Sequence, residues 1–152
     1  MMTTPLRKSA VFTLALGAVA LGACSSDPGE ITRDSEPFGA IAEDARISVL
    51  GTEPFWGLEI EPGKTGYSAI YSTPENIEGT SFAVTRFAGN NGLGFSGELE
   101  GQPLQLAITP GDCSDGMSDR TFPYTATVAL GDATLLGCAY TSDEPFAGDE
   151  AP

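Results

Sequence analysis

The amino-acid sequence predicts an all-β domain of about eight short antiparallel strands, closed into a small barrel or stacked as a sandwich. Apolar and polar residues alternate with a period of two in many short runs between residues 45 and 140. Turn-forming segments such as GNNG at 89–92 separate these runs. No ten-residue stretch of this region has a 3.6-residue apolar period, so we expect no helices there. We favour the barrel because closure removes exposed strand edges.

The first 23 residues are typical of an export signal. Arg7 and Lys8 form a basic start, and the apolar run AVFTLALGAVAL follows at 10–21. A membrane-spanning helix needs roughly 20 apolar residues, and this run is clearly shorter. Residues 1–23 are therefore predicted to be a signal peptide that is removed, and not a permanent transmembrane anchor.

The residues LGAC at 21–24 resemble the lipobox of bacterial lipoproteins. Leu21 and Ala23 stand at the aliphatic and small positions of that motif, and Cys24 matches the cysteine that receives the lipid. The resemblance implies a covalent lipid on Cys24 as the membrane anchor, with no other cofactor. Ser25 after the cysteine is associated with outer-membrane delivery in two-membrane bacteria. We expect a cell-envelope protein at the periplasmic face of the outer membrane; the alternative is a secretory signal with a chance cysteine.

The chain behind the signal divides into a tether, a β-domain and a tail. Residues 24–44 comprise the cysteine that the lipobox resemblance marks for lipidation and a predicted flexible tether, because the segment from Ser25 to about Asp44 is polar, acidic and interrupted by prolines. Residues 45–140 form the predicted β-domain, and the acidic residues 141–152 a disordered tail. The predicted strands are 46–52, 55–61, 65–71, 80–87, 93–100, 102–109, 124–130 and 133–140.

One face of each predicted strand is apolar and should form the core. In the second strand this face holds Trp56, Leu58 and Ile60. The later strands repeat the pattern with Leu93, Phe95 and Leu99, then Leu104, Leu106 and Ile108, then Ala126, Val128 and Leu130.

Charge and composition exclude several classes of function. The chain has 7 basic and 21 acidic residues, a formal charge of -14, and removal of residues 1–23 with their two basic residues leaves -16. Such a charge repels nucleic acid, so we expect no nucleic-acid partner. The chain has no histidine, which excludes Ser-His-Asp, Cys-His and zinc-histidine mechanisms.

The remaining cysteines are predicted to form a disulfide. With Cys24 assigned to the lipid, Cys113 and Cys138 remain as a pair in an oxidising compartment. Closing this loop of 25 residues is worth about 3.5 kcal/mol in the chain-entropy description. A redox or metal-binding thiol pair is the alternative, but no C-x-x-C spacing supports it.

Two motifs contain the residues of chemical interest. GTEPFW at 51–56 ends in Trp56, the only tryptophan, which we interpret as a core or barrel-end residue, with ligand stacking as the alternative. CSDGMSDR at 113–120 contains Met117, which we expect to fold inward as filler, although a solvent-facing contact is the other interpretation.

Three aspartates in and beside the second motif surround a glycine and raise the question of a calcium site. Asp112, Asp115 and Asp119 do not follow the EF-hand spacing, so no metal is predicted. We expect these aspartates to cap backbone amides or to pair with Arg120. The carboxylate that pairs with Arg120, in a bidentate geometry, is predicted to be that of Asp115, Asp119 or Glu53.

The two motifs resemble a family of largely uncharacterised bacterial envelope lipoproteins and membrane proteins. Its pattern is GTEPFW, then C-S-D-G-M-S-D-R-x-(Y/F)-P-Y and a closing G-C, matched here at residues 51–56, 113–124 and 137–138. At Phe122 the family more often has tyrosine. The resemblance implies an envelope address but no agreed activity. A weaker architectural likeness links the chain to META-domain lipoproteins and to β-barrel inhibitors of c-type lysozyme.

The sequence favours a non-enzymatic binding or envelope-support module with a protein or small-molecule ligand in the envelope. The candidate binding patch comprises Trp56, Asp115, Met117, Asp119, Arg120 and Tyr124. The alternatives are inhibition of a cationic cell-wall hydrolase such as lysozyme, suggested by the acidic charge, and a calcium-assisted hydrolase built on the aspartate loop. The sequence offers no complete set of acid, base and nucleophile for the last.

Overall fold

The regular structure consists of eight β-strands in a computed structural model that describes residues 36–148. The strands are β1 (Ile47–Thr52), β2 (Phe55–Gly63), β3 (Gly66–Thr73), β4 (Asn76–Ala88), β5 (Leu93–Leu99), β6 (Gln102–Cys113), β7 (Phe122–Leu130) and β8 (Ala133–Thr141). Within residues 36–148 no helix is long and apolar enough to cross a membrane. The predicted signal peptide at 1–23, Cys24 and residues 149–152 lie outside the described residues.

The strands form a closed antiparallel barrel in chain order. Each strand pairs with the next, and β8 pairs back with β1. Val49 in β1 shows the closure, because it stands opposite Leu58 of β2 on one side and Ala139 of β8 on the other. The all-β prediction and the preference for a barrel over a sandwich are confirmed. Closure leaves the sheet without an unpaired edge.

The barrel interior is filled by the apolar residues that the period-two pattern placed on one face. Trp56, Leu58 and Ile60 of β2 are all buried, and the residues between them are partly exposed. The core residues of the other strands are Ile47, Val49, Ala69, Val84, Leu93, Phe95, Leu99, Leu104, Leu106, Ile108, Tyr124, Ala126, Val128 and Ala139. The hydrophobic effect of this burial is the main force that stabilises the fold.

Short turns join most of the strands. Five hairpins have two-residue loops, at 53–54, 64–65, 74–75, 100–101 and 131–132. The connection between β6 and β7, residues 114–121, is longer than the other connections between strands. β4 begins four residues earlier than predicted, next to a register shift in the β3–β4 pair. β6 ends four residues later than predicted, next to a register shift in the β6–β7 pair.

The segment before β1 packs against the barrel from residue 36 onward. Ile41 is buried and accepts a hydrogen bond on its carbonyl from Arg86 Nη2 at 3.1 Å. The Phe38 amide donates to the Gly89 carbonyl at 2.7 Å, and the Phe38 ring contacts the core. The predicted flexible tether reached to residue 44, so its last part differs from the structure because Phe38 and Ile41 provide apolar anchors.

The segment after β8 also folds back onto the barrel. The Phe146 ring lies 5.4 Å from the ring of Phe122 and 5.3 Å from that of Tyr140. Thr121 and Ala147 exchange two backbone hydrogen bonds, at 2.8 and 2.9 Å. The residues predicted as a disordered tail are therefore bound to the barrel as far as Gly148, because Phe146 completes a small aromatic cluster.

Candidate binding groove

A disulfide holds the 114–121 connection against β8. Cys113 is the last residue of β6, and its sulfur lies 1.96 Å from that of Cys138 in β8, with 5.6 Å between the two Cα atoms. The predicted pair is thus seen at disulfide distance. The connection therefore starts from a fixed point on the barrel.

Asp115 organises the first turn of this connection. Its Oδ1 accepts hydrogen bonds from the amides of Met117 and Ser118, both at 2.9 Å. Its Oδ2 accepts one from the Ser118 hydroxyl at 2.8 Å. These bonds, first that from the Met117 amide, lower the pKa of Asp115, and the positive charge of Arg120 adds to the effect. Asp115 thus caps backbone amides, as predicted.

The connection reaches the end of β1 and so joins the two sequence motifs. The Thr52 hydroxyl donates a hydrogen bond to the Asp115 carbonyl at 3.2 Å. Thr52 is the second residue of GTEPFW, and Asp115 is the third of CSDGMSDR. Two segments 63 residues apart in sequence therefore form one surface.

Trp56 lies inside the barrel at this end, against Gly51. Only 4% of its surface is exposed, and its ring is stacked with that of Tyr71 at 6.4 Å. A Cβ on Gly51 would stand 2.0 Å from Trp56 Nε1, so glycine is required opposite the indole. The predicted core or barrel-end position of Trp56 is confirmed. Its Nε1 is buried and has no hydrogen-bond partner among residues 36–148.

A groove of about 410 Å³ lies between the GTEPFW turn and the 114–121 connection. Phe55 and Met117 project beside it, with 53% and 67% of their surfaces exposed. The groove is lined by Leu50, Gly51, Thr52, Phe55, Trp56, Gly57, Ser72, Thr73, Pro74, Asp115 and Met117. Asp115 is the only ionisable residue of this lining. We call this cleft the Trp56 groove.

The exposure of Met117 corrects a sequence prediction. Met117 was expected to fold inward as filler, and instead its side chain faces solvent. The barrel interior is already filled by the strand residues, and the 114–121 connection runs outside it. A second cleft of about 570 Å³ shares Met117 with the groove and is also lined by Thr134 and Leu136 of β8.

Arg120 is not among the residues that line the Trp56 groove and lies beside the segment after β8. Its guanidinium carbon stands 4.5 Å from the centre of the Phe146 ring, a cation–π distance. Asp115 is one of the three carboxylates predicted to pair with Arg120, and the positive charge of Arg120 helps to lower the pKa of Asp115. Asp119 is exposed, and its carbonyl lies close to Gly148.

Tyr124 lies in the core and contacts the same C-terminal segment. It is buried, and its hydroxyl donates a short hydrogen bond to Glu144 Oε2. Burial, and next the hydrogen bond to Glu144, raise the pKa of Tyr124 to about 12. Tyr124 is thus engaged within the fold and does not line the groove.

The six residues of the predicted patch therefore occupy two places. Trp56, Asp115 and Met117 meet at the groove, while Asp119, Arg120 and Tyr124 lie toward the C-terminal segment. Sequence reasoning missed Phe55. The period of two in the strand could have identified it, because the residue next to the inward-pointing Trp56 must point outward.

The aspartates of the connection do not assemble as metal ligands. Among the described residues, no group of three or more acidic or cysteine side chains is placed to hold an ion. Comparisons with protein-family models, with curated proteins and with solved structures gave no match to this chain.

Proposed function

We propose that this protein is a lipid-anchored lipoprotein of the bacterial envelope that binds a partner at the Trp56 groove without catalysing a reaction. The export signal and the lipobox-like residues at 21–24 support the address. The resemblance of GTEPFW and CSDGMSDR to motifs of envelope lipoproteins supports it as well. The anchor would hold the barrel close to the membrane, where envelope partners are concentrated.

The observation that carries the proposal is a pair of large, exposed apolar side chains beside a cleft of about 410 Å³ whose lining holds one ionisable residue. Covering Phe55 and Met117 would remove two large apolar side chains from water, worth up to about 1.5–3 kcal/mol each. A partner that supplies an apolar group at the groove would recover this contribution.

The lining also indicates how the partner is recognised. Asp115 is its only ionisable residue, and its carboxylate oxygens are already hydrogen-bonded within the loop. Recognition therefore depends on apolar contact and shape more than on ion pairs. An apolar segment of an envelope protein or an apolar small molecule fits this surface.

A quantitative pull-down from envelope extracts tests the proposal. The double variant Phe55→Ser, Met117→Ser changes only exposed side chains, so it should fold as the wild type does. Ile77→Ser is the matched control, because Ile77 is 82% exposed and is not part of the groove lining. We expect the double variant to lose at least about tenfold of the specifically captured partner, which corresponds to about 1.4 kcal/mol. Equal capture by wild type, control and double variant would exclude the groove.

A second candidate is inhibition of a cationic cell-wall hydrolase such as lysozyme. The charge of -16 that remains after removal of residues 1–23 and the closed eight-stranded barrel favour it, because an acidic barrel attracts a basic enzyme. Titration of the purified protein against lysozyme tests it directly. Full lytic activity at micromolar protein would remove this candidate and leave the groove proposal unaffected.

A further inference from the structure

A pocket of about 300 Å³ lies at the end of the barrel where the β3–β4 and β5–β6 hairpins turn. Its lining consists of Tyr71, Thr73, Asn76, Thr80, Leu99, Glu100, Gln102 and Leu130. The mouths of β-barrels are common sites of small-molecule binding, and such sites begin at about this volume. We call this pocket the barrel mouth.

The barrel mouth has an apolar floor and a polar rim. Leu99 is buried in the core, and the partly buried Tyr71 packs against that core. Asn76, Glu100 and Gln102 are exposed and form the rim. A ligand that fits this lining has a small apolar body and a polar head group.

Negative charge surrounds the rim. Four two-residue hairpin loops lie at this end of the barrel, and each contains one carboxylate and no basic residue. The four carboxylates are those of Glu53, Glu75, Glu100 and Asp132. Their field attracts small cations to the barrel mouth and repels anions. Among residues 36–148 no three acidic or cysteine side chains are placed to hold a metal ion, so the charge favours an organic cation.

Glu100 occupies a turn position that suits a glutamate poorly. Its φ is 52°, and within residues 36–148 it is the only residue other than glycine with a positive φ. Gly101 follows with a φ of 83°, so both residues of the loop have the positive φ of a type I′ turn. Asparagine or aspartate is preferred before the glycine of such a turn. Residues that break a local rule of this kind are concentrated at functional sites, which directs attention to the Glu100 carboxylate.

We propose that the barrel mouth binds a small organic amine in its cationic form, with the Glu100 carboxylate as the counter-charge and Tyr71 and Leu99 against the apolar body. Within residues 36–148 neither the Glu100 carboxylate nor the Tyr71 hydroxyl has a hydrogen bond or an ion pair. Both groups are therefore available to a ligand. The aromatic ring of Tyr71 adds attraction for a cation.

Titration of the purified protein with cyclohexylamine near pH 7, followed by NMR of the backbone amides, tests this site. We expect saturable shifts centred on the amides of Thr80, Glu100 and Gln102. Cyclohexanol has the same ring without the charge and should bind at least about tenfold more weakly. Cyclohexanecarboxylate, which has the opposite charge, should not bind.

Glu100→Asn is the most informative variant. It removes the carboxylate and installs the preferred turn residue, so it should weaken cyclohexylamine binding at least about tenfold while raising the melting temperature. Glu98→Gln is the matched control, because it removes the same charge from an exposed residue of the same hairpin that does not line the pocket. This control should bind cyclohexylamine as the wild type does.

The outcomes separate this site from the Trp56 groove. The double variant Phe55→Ser, Met117→Ser should keep its affinity for cyclohexylamine, because neither residue lines the barrel mouth. Shifts that do not saturate, or equal binding of cyclohexylamine and cyclohexanol, would overturn the proposal. Unchanged binding by Glu100→Asn, or equal weakening by Glu98→Gln, would also overturn it, since the Glu100 carboxylate would then have no specific role.

Discussion

Gly51 and Trp56 face each other in the register of β1 and β2, and a Cβ at position 51 would stand only 2.0 Å from Trp56 Nε1. The indole occupies the space that any larger residue at position 51 would need. This contact places Trp56 at the barrel end, where Phe55 beside it must point outward toward the groove. Gly51 thus leaves the space that positions Trp56, and with it the outward-pointing Phe55, at the groove.

Gly51→Ala should destabilise the protein by about 1–3 kcal/mol, because the new methyl group forces the indole or the strand to move. Urea denaturation followed through the fluorescence of the only tryptophan measures this change. Gly39→Ala is the control, since its nearest contact is 3.8 Å away, and it should alter stability by no more than about 0.5 kcal/mol. Equal unfolding midpoints for Gly51→Ala and the wild type would refute the packing argument.

Tyr124 should make stability fall in alkaline solution. Its pKa is about 12 in the fold, and that of an unfolded tyrosine is about 10. A raised pKa stabilises the fold fully below about pH 10, and this contribution is lost as pH rises toward the folded value. The wild type should therefore lose thermal stability relative to Tyr124→Phe above about pH 10. If the curves of melting temperature against pH run parallel for the wild type and Tyr124→Phe, Tyr124 does not contribute to the alkaline loss of stability.

At the scale of elements, the 114–121 connection is positioned by three independent constraints. The disulfide fixes its start, the Asp115 carboxylate closes its first turn, and the Thr52 hydroxyl ties it to β1. A loop outside a barrel would otherwise have few buried apolar contacts to order it. These constraints hold the exposed Met117 beside Phe55.

Asp115→Ala should loosen this connection without unfolding the barrel. The amides of Met117 and Ser118 lose their acceptor, so their hydrogen exchange should become faster while exchange in the strands stays unchanged. Asp112→Ala is the control, because Asp112 is exposed and does not cap these amides. Exchange rates unaffected by Asp115→Ala would mean that the turn is held by something else.

The strands could be predicted from the sequence because apolar and polar residues alternate along each strand, with one face toward the core, and turn-forming residues mark where most strands end. The start of β4 and the end of β6 could not be predicted, because each lies beside a register shift that breaks the period of two. The packing of Ile41 and Phe146 was missed for a different reason. Phe146 stands alone among acidic residues and a proline, and Phe38 and Ile41 are separated by small residues only, so neither segment shows a strand or helix period.

The candidate site was predictable in part. The two motifs marked Trp56, Asp115 and Met117, but nothing in one sequence shows that the segments meet through Thr52 and the Asp115 carbonyl. Arg120 and Tyr124 stand close to these residues in sequence, yet the barrel geometry carries them toward Phe146 and Glu144. Proximity along the chain was therefore a poor guide to proximity in space.

At the scale of the whole molecule, the proposal joins a membrane anchor, a rigid barrel and a groove on its surface. Cys24→Ser should prevent lipidation and move the protein from the membrane fraction to the soluble fraction. Mass spectrometry of the wild type should show a chain that begins at Cys24 and carries a diacylglyceryl group and an amide-linked acyl chain. An unmodified start upstream of Cys24, in protein recovered from cytosol, would contradict the anchor.

Photo-crosslinking in living cells is the most direct test of the central claim that the Trp56 groove binds a partner. A photoreactive phenylalanine analogue at position 55 or 117 lies at the groove, and the same analogue at Ile77 serves as the exposed control outside its lining. We predict an adduct of one defined mass from positions 55 and 117, and none of that mass from position 77. No adduct from the two groove positions, or the same adducts from all three, would contradict the account.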